Sequence, residues 1–328
     1  MSTPGGRRAL VGELASALRE LVEPELGAHA GRVHSSLGEG GDVTFVIDEA
    51  AETLLEGFVA ERAPRLAFYS EDRGLIEPAG GAEAVLVVDP IDGTRPALAG
   101  LEAACVSVAL APLDDEPPTM GDVEIGCVVE IKSGARFLAQ RGAGVQCSVP
   151  VALSPNRRLD RLFWTYGFRG RPARALTEVL AELIDGSSVG GATFDLGSAC
   201  FDMTRVLTGQ LDAYVEPGPR MIAEVPGVRA EFERVGGGQV LNNSPYDLAA
   251  ATLCLLEGGA VVTDAGGRPL DDRPLLGSGA DYQMSVLASA NTELHAALLA
   301  AVDRGIERLA ATFAGDTAPL AAASPGNP

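Results

Sequence analysis

Apart from arginine, the sequence has few basic side chains. Among 328 residues there is one lysine, Lys132, and there are three histidines, His29, His34 and His295. Acidic residues outnumber lysine and arginine by 45 to 25, and the formal net charge is −20. That charge argues against a nucleic-acid partner, because a phosphate backbone requires a basic face. An acidic surface also repels anionic substrates, so a phosphate-handling site here would need metal ions or arginines.

Cysteine motifs and long apolar runs are also missing. The five cysteines are widely spaced and include no CxxC pair, which excludes the usual zinc and redox signatures. We expect buried free thiols in a reducing compartment. No apolar run approaches the roughly 18–20 residues of a transmembrane helix, and no apolar secretory segment follows Met1–Arg8. These absences predict a cytoplasmic protein with no membrane partner.

The apolar pattern predicts helices and strands in a layered arrangement. Hydrophobic residues make up 46% of the chain and charged residues 21%, a composition typical of globular proteins. Leucines at helical spacing predict a helix over residues 8–30, and a second amphipathic helix follows Asp48. Predicted strands are 66–69, 84–88, 105–110, 125–131, 136–139, 162–166, 211–215, 260–263 and 286–288. Later helices are predicted at 173–184, 198–207, 247–256 and 292–313.

The order of these elements predicts a mixed α/β or α+β layered fold. We expect an N-terminal α+β half over residues 1–150 and a C-terminal α/β half over residues 151–315 that completes the active site. Residues 316–328, rich in alanine, proline and glycine, are predicted to be a flexible tail.

The strongest local signal is the acidic loop Asp89–Thr94, with the sequence DPIDGT, at the end of a buried strand. Pro90 cannot extend a strand ladder, so the chain must turn there and hold Asp89 and Asp92 on a rigid loop. Two carboxylates and the Ile91 carbonyl are hard oxygen ligands, the set that magnesium prefers. The loop taken alone is also compatible with an acidic turn that only caps a helix.

Two further acidic positions stand at the ends of predicted elements. The pair Glu71-Asp72 follows a strand, and Asp247 begins a helix. Taken singly, the pair is typical of a solvated strand end, and Asp247 is typical of a helix N-cap. If these carboxylates converge with the DPIDGT loop, their like charges would repel one another unless cations are bound. The combination therefore favours a shared metal site.

Five ordered motifs between Thr44 and about Leu309 carry a family resemblance. They are Ser70-Glu71-Asp72, Asp89–Thr94, Gly142-Ala143-Gly144, Gly197-Ser198-Ala199 with Leu211–Glu216, and Tyr246–Ala250. On these motifs the chain resembles the inositol monophosphatase family of lithium-sensitive, magnesium-dependent phosphatases, which includes fructose-1,6-bisphosphatases and nucleotide 3'-phosphatases. The resemblance implies a layered α-β-α-β-α sandwich of the sugar-phosphatase type and a homodimer.

The resemblance also implies metal ligands. Glu71, Asp89 and the carbonyl of Ile91 would hold one magnesium ion, and Asp89, Asp92 and Asp247 would hold a second. Two or three ions are expected in all. Such ions would activate a water molecule for attack on a phosphate ester.

Catalytic and substrate-binding roles follow from the same motifs. Thr94, with Asp48 behind it and Glu71 beside it, would orient the attacking water. The residues expected to bind the substrate are Gly93, Thr94, Ser198, Ala199, Glu216 and Arg220, of which Glu216 would touch sugar or cyclitol hydroxyls.

The chain departs from the family pattern at four places. Asp72 stands where glutamate is usual, Tyr246 stands where tryptophan is usual, and Arg95-Pro96-Ala97 replaces a polar residue followed by Asn-Phe. The segment Pro217–Pro245 is far longer than in most members. That segment can be a surface loop or a lid.

As a lid, the long segment would use an arginine to grip a second phosphate or a carboxylate. Its candidates are Arg220, Arg229 and Arg234, and Arg169 and Arg171 are further candidates outside it.

We therefore expect a phosphoric monoester hydrolase that acts on a small-molecule phosphate ester. The expected substrate is a sugar or cyclitol phosphate, inositol monophosphate-like or fructose 1,6-bisphosphate, and lithium is expected to inhibit by competing for a magnesium site. Two alternatives are a 3'-phosphonucleotide phosphatase and a degenerate family member that binds without turnover.

Overall fold

The computed structural model describes residues 4–28, 34–37 and 43–316, in which we find fourteen strands and nine α-helices. The strands are β1 (His34–Leu37), β2 (Val43–Phe45), β3 (Ala67–Ser70), β4 (Gly74–Ile76), β5 (Ala84–Asp92), β6 (Cys105–Pro112), β7 (Ile125–Glu130), β8 (Arg136–Gln140), β9 (Gly144–Cys147), β10 (Phe163–Tyr166), β11 (Ala192–Phe194), β12 (Ala213–Glu216), β13 (Val261–Thr263) and β14 (Val286–Ser289). The helices are α1 (Pro4–Val22), α2 (Val46–Arg62), α3 (Thr94–Ala99), α4 (Ala173–Ser187), α5 (Ala199–Leu207), α6 (Gly218–Glu224), α7 (Val228–Val235), α8 (Pro245–Glu257) and α9 (Thr292–Asp316).

Two large sheets form the framework. The first has seven strands in the order β4-β3-β5-β6-β7-β8-β9, with β3 and β5 parallel and the other neighbours antiparallel. The second has five strands in the order β11-β10-β12-β14-β13, with β10 parallel to both β11 and β12. The sheets use successive parts of the chain. The predicted division into two halves at residue 150 stays a prediction.

Helices cover the seven-stranded sheet on its outer face. In α1, Leu10, Leu14 and Leu18 recur at helical spacing and are buried against β6 and β7, whose residues in the same core include Val108 and Val129. Burying one leucine side chain stabilises a fold by roughly 1.5–3 kcal/mol. This amphipathic stripe, rather than intrinsic helix propensity, therefore fixes the position of α1.

Two more apolar layers complete the stack. One lies between the sheets and is filled by α5 and α8, where Met203 and Leu248 pack with Val85 and Tyr214. The other lies on the far face of the five-stranded sheet, under α4, α6, α7 and α9. The sequence of layers is therefore helix, sheet, helix, sheet, helix. This confirms the expected α-β-α-β-α sandwich.

The segment Pro217–Pro245 is largely helical. Residues of α6 and α7, such as Met221 and Phe232, are buried against α9 and the five-stranded sheet. The expectation of a surface loop is therefore wrong for this part, because its apolar side chains occupy the outer core.

Two other expectations concern the ends of the chain and the thiols. Of the predicted tail, Asp316 ends α9, and residues 317–328 lie outside the described residues, as does His29. The five cysteines are free, and four of them are buried. No helix in the described ranges combines the length and the apolar content that crossing a membrane would require.

His295 on α9 makes stability depend on pH. Its ring nitrogens lie 2.9 Å from Ser289 Oγ and 2.9 Å from Thr263 Oγ1, and burial lowers its pKa from 6.5 to about 4. As pH falls from 6.5 towards 4, the unfolded chain therefore binds a proton at this residue that the folded chain does not bind, and stability decreases.

We expect the melting temperature to decrease between pH about 7 and pH about 4.5, and to decrease less in His295→Gln. Thermal unfolding of both proteins at the two pH values measures the difference, and other titrating groups cancel in the comparison. Equal decreases in the two proteins would assign the pH dependence to other residues.

Candidate active site

A β-bulge in β5 places Asp89 and Asp92 on the same face of the sheet. Asp89 pairs with Ser107, but Asp92 pairs with Cys105, so β5 has one extra residue between these pairs. In a regular strand Ile91 would share a face with Asp89, yet its side chain packs in the opposite core. The sequence suggested that the strand ends at Asp89. The strand instead continues to Asp92, because the bulge accommodates Pro90, which cannot donate to the ladder.

Three carboxylates converge at this point. One oxygen from each of Asp89, Asp92 and Asp247 lies within 4.8 Å of the others. Asp89 and Asp92 are buried, and Asp247 is half-buried at the start of α8, where its Oδ2 accepts from the Ser244 backbone N–H at 2.6 Å. The prediction of Asp247 as the N-cap is wrong: the N-cap is Ser244, and Asp247 is the third residue of α8, where it completes a capping box. The same side chain also reaches the two acids of β5.

The carboxylates raise one another's pKa values. Burial raises the pKa of Asp89 well above its usual range, and the charges of neighbouring acids, Asp92 first, add to the increase. Burial also raises the pKa of Asp92, although hydrogen bonds from the start of α5 oppose it. The pKa of Asp247 is raised to about 7, by burial first and by the charge of Asp92 second. A bound cation would relieve this repulsion.

Asp92 is held by the beginning of α5. The Ser198 hydroxyl and the Cys200 backbone N–H donate to Asp92 Oδ2 at 2.7 and 2.6 Å. Ala199 lies between them in the chain, and it lines a cavity that Asp89 and Asp92 also line. Gly93 makes this approach possible, because its φ is +89° and a Cβ there would lie 2.8 Å from the Cβ of Ser198. The GSA motif and the DPIDGT loop, far apart in sequence, are therefore one structural unit.

Thr94 and Asp48 come together as the resemblance implied. The Thr94 hydroxyl lies 3.3 Å from Asp48 Oδ1 and 3.1 Å from the Ile91 carbonyl oxygen, so its single proton can be donated to either. Asp48 Oδ2 accepts from the Phe45 backbone N–H at 2.8 Å, which fixes the carboxylate at the start of α2. Thr94 therefore has lone pairs available to accept a hydrogen bond from a water molecule.

Glu71 lines the same cavity, and its charge contributes to the raised pKa of Asp89. Behind it lies Glu52 on α2, a buried acid that the sequence reasoning missed. The Ser70 hydroxyl donates to Glu52 Oε2 at 2.8 Å, and burial raises the pKa of Glu52 to about 7. An acidic residue on the apolar face of a predicted helix was the available signal.

A cavity of about 390 Å³ connects these groups with a second set of polar side chains. On the first side its lining includes the metal-site acids, Ile91, Gly93, Thr94 and Arg95. On the second side it includes Phe168, Arg169, Arg171, Asp195, Ser198, Ala199, Asp202, Tyr214, Asn242, Asn243, Tyr246 and Gln283. This volume suits a small phosphorylated metabolite.

Two residues predicted to bind the substrate are placed elsewhere. Arg220 donates to Glu224, to Asp303 and to the Ala265 carbonyl, and it does not line the cavity formed by the described residues. Its guanidinium joins α6 to α9, so its assignment to the substrate is corrected. Glu216 is fully buried beneath the cavity and also does not line it in the described part of the chain.

The other arginines of the long segment are not at the cavity either. Arg229 pairs with Glu233, and Arg234 pairs with Glu231, both along α7. Three arginines in the described part of the chain line the cavity, Arg95, Arg169 and Arg171, and none of them is in that segment. The segment contributes Leu241, Asn242, Asn243 and Ser244 instead.

The donor set of the site fits a hard cation. Asp89, Asp92 and Asp247 offer carboxylate oxygens, and no histidine or cysteine joins them in the acidic group that the described residues form. Ile91 lines the same cavity, and its carbonyl oxygen lies 3.1 Å from the Thr94 hydroxyl. Oxygen ligands of this kind suit magnesium, calcium or manganese rather than zinc or copper.

Comparison with known proteins agrees with this geometry. The sequence model of the inositol monophosphatase family matches residues 8–307. The chain belongs to the inositol monophosphatase family. The resemblance carried by the five motifs is thereby confirmed, and membership of the family supports phosphatase activity on sugar phosphates.

Relatives within this family have two kinds of name. The fructose-1,6-bisphosphatase/inositol-1-monophosphatase of Methanothermobacter thermautotrophicus is 26% identical over 291 residues, which cover 86% of this chain and 91% of that protein. The Nus factor SuhB of Vibrio cholerae is 25% identical over 241 residues, which cover 73% of this chain and 78% of that protein.

Solved structures share the fold. The extragenic suppressor protein suhB from Bartonella henselae matches with a TM-score of 0.68 at 21% identity, over 90% of this chain and 98% of that one. An IMPase from Thermotoga maritima matches with a TM-score of 0.63 at 19% identity, over 90% and 96%. At these identities the likeness shows the fold alone.

Proposed function

We propose that this protein hydrolyses a phosphate monoester of a sugar or cyclitol in a magnesium-dependent reaction. The observation that carries the proposal is the convergence of Asp89, Asp92 and Asp247 with the Thr94–Asp48 pair in one cavity. The names of relatives that act on fructose 1,6-bisphosphate or inositol 1-phosphate support this substrate class.

The residues of the chain have distinct tasks in this proposal. Asp89, Asp92, Asp247, Glu71 and the Ile91 carbonyl would hold magnesium, which when bound supplies the positive charge that lowers the pKa of water and stabilises the leaving oxygen. Without a cation, the clustered carboxylates would repel a phosphate dianion.

Thr94 orients the attacking water. Its hydroxyl donates to Asp48 or to the Ile91 carbonyl, which leaves its oxygen lone pairs to accept a hydrogen bond from the water. The water oxygen forms a bond to phosphorus while the bond from phosphorus to the bridging oxygen breaks. The attacking water gives up one proton, and the leaving oxygen keeps its electron pair and takes up one proton, so the products are an alcohol and inorganic phosphate. No side-chain nucleophile is required.

Phosphate release from a panel of esters tests the proposal. The panel is myo-inositol 1-phosphate, fructose 1,6-bisphosphate, histidinol phosphate and 3'-phosphoadenosine 5'-phosphate, each with Mg²⁺ and with EDTA. We expect hydrolysis of at least one sugar or cyclitol ester with Mg²⁺, its loss in EDTA, and inhibition by Li⁺.

Binding of the metal has a separate readout. At a hundredfold excess over its Kd, Mg²⁺ should stabilise the fold by about 2.7 kcal/mol, which raises the melting temperature relative to EDTA. Preferred cleavage of the nucleotide would favour the 3'-phosphonucleotide alternative. Mg²⁺ binding without release of phosphate from any ester would favour a binding protein, the alternative in keeping with relatives named Nus factor SuhB.

A further inference from the structure

Glu216, which the family resemblance assigns to substrate hydroxyls, is closed off from the cavity. Its side chain is 0% exposed, and Arg171 Nη2 lies 2.6 Å from its Oε2. The Gly218 backbone N–H donates to its Oε1 at 2.9 Å. A Cβ at residue 218 would lie 2.8 Å from Oε1, so the absence of a side chain allows the backbone to close over this carboxylate. Glu216 cannot accept a hydrogen bond from a ligand unless this pair separates.

Arg171 occupies the cavity wall in front of Glu216. Its Nη1 donates to the Arg169 carbonyl at 2.5 Å, and its Nη2 donates to Asn243 Oδ1 at 3.2 Å. Its Nε is buried and has no hydrogen-bond partner among the described residues. Glu216 Oε2 also has no hydrogen-bond partner among these residues, so attraction between opposite charges holds the pair together. Arg171 nevertheless lines the cavity, where its guanidinium can face a bound anion.

The turn that carries Arg171 also brings Arg169 to the cavity, where its charge partly opposes the increase that burial and Asp92 cause in the pKa of Asp247. Two acids, Asp195 and Asp202, share this part of the lining. Burial raises the pKa of Asp202 well above its usual range, and burial raises that of Asp195 against the opposing charge of Arg171. Both shifts oppose ionisation of these two acids.

We propose that Arg171, rather than Glu216, selects the substrate, and that the preferred ester carries a second anionic group, a carboxylate or a phosphate, on its alcohol portion. A guanidinium only donates hydrogen bonds, and donation to an anion is roughly twice as strong as donation to a neutral oxygen. The hydroxyls of a neutral polyol could not use Glu216 as a hydrogen-bond acceptor, because its carboxylate is buried and paired with Arg171. This inference rests on the proposed function, since it concerns the same cavity.

A comparison of three esters in two variants tests the inference. The esters are fructose 1,6-bisphosphate, 6-phosphogluconate and myo-inositol 1-phosphate, measured by phosphate release with Mg²⁺. Arg171→Gln alone would leave Glu216 buried without its cation, so the test variant is Arg171→Gln with Glu216→Gln, which keeps a neutral hydrogen-bonding pair. The matched control is Arg304→Gln, which removes an arginine paired with Glu182 on the surface.

In the wild type, we expect kcat/KM for a doubly anionic ester to exceed that for inositol 1-phosphate. In the double variant this ratio should decrease about tenfold to a hundredfold, the equivalent of one hydrogen bond to a charged group. The control should keep the wild-type ratio. A preference for the bisphosphate identifies a phosphate as the second group, and a preference for 6-phosphogluconate identifies a carboxylate.

A wild-type preference for inositol 1-phosphate would overturn the inference, as would an unchanged ratio in a folded double variant. Calorimetric binding of the same three esters to Asp92→Asn, with and without the paired Gln substitutions, provides a readout that needs no turnover. Failure to release phosphate from any ester would contradict the proposed function. Tighter binding of the doubly anionic esters would still support the role of Arg171, and equal binding of all three would reject it.

Discussion

Replacing Asp92 with asparagine is expected to reduce Mg²⁺-dependent hydrolysis by about 10³-fold or more. Charge stabilisation by a bound metal contributes several kcal/mol to the transition state, and each 1.36 kcal/mol corresponds to about tenfold in rate. The amide oxygen can still accept from the Ser198 hydroxyl and the Cys200 N–H, which now bond Asp92 Oδ2. The amide nitrogen, however, is a donor and cannot act as a metal ligand.

The same substitution should raise the melting temperature of the protein in EDTA. The charge of Asp92 raises the pKa values of Asp89 and Asp247, so near neutral pH this charge opposes folding. Removing it relieves the two remaining acids. Asp122→Asn is the matched control, since Asp122 also accepts from a backbone N–H at a helix start but does not line the cavity. Full activity of Asp92→Asn with Mg²⁺ would contradict the metal assignment.

Replacing Thr94 with valine should lower kcat by about 10²- to 10⁴-fold, the range for a positioned proton acceptor. Valine keeps the shape of the side chain but removes the hydroxyl that lies 3.3 Å from Asp48 Oδ1 and 3.1 Å from the Ile91 carbonyl. KM and Mg²⁺-induced stabilisation should change little, because the metal-site acids are untouched.

Thr94→Ser restores the hydroxyl and should recover most of the activity. Asp48→Asn should resemble Thr94→Val in steady-state kinetics, because its amide can still accept from the Phe45 N–H but no longer provides a charged partner for Thr94. If Thr94→Val kept the wild-type kcat, the water would have to be oriented by another group.

The sequence predicted those elements whose apolar pattern is long enough to define one face. The strand predicted at 105–110 corresponds to β6, and the helix predicted at 173–184 corresponds to α4. Short edge strands such as β4 and β11 were missed, because three residues do not establish an alternation. The helices α6 and α7 were missed because glycines and prolines in that segment favoured a loop.

In the active site, too, the sequence predicted residues that are contiguous in the chain and missed contacts that depend on tertiary packing. Asp89–Thr94 could be identified because its chemistry lies in six consecutive residues. The pairing of Arg171 with Glu216 could not be identified from the sequence. Arg171 follows β10 and Glu216 ends β12, and only tertiary packing brings them together. Arg220 was predicted to bind the substrate for the same reason. Its contact with Asp303 depends on how α6 packs against α9, which the sequence does not show.

The bulge at Pro90-Ile91 makes the length of β5 as important as its composition. An exchange of Ile91 for another apolar residue would alter packing in one core and leave the direction of its neighbours unchanged. If one residue were inserted there and the bulge kept, the alternation of side chains along a strand would turn Asp92 away from Asp89. The active site of this protein should therefore tolerate substitution at position 91 far better than insertion.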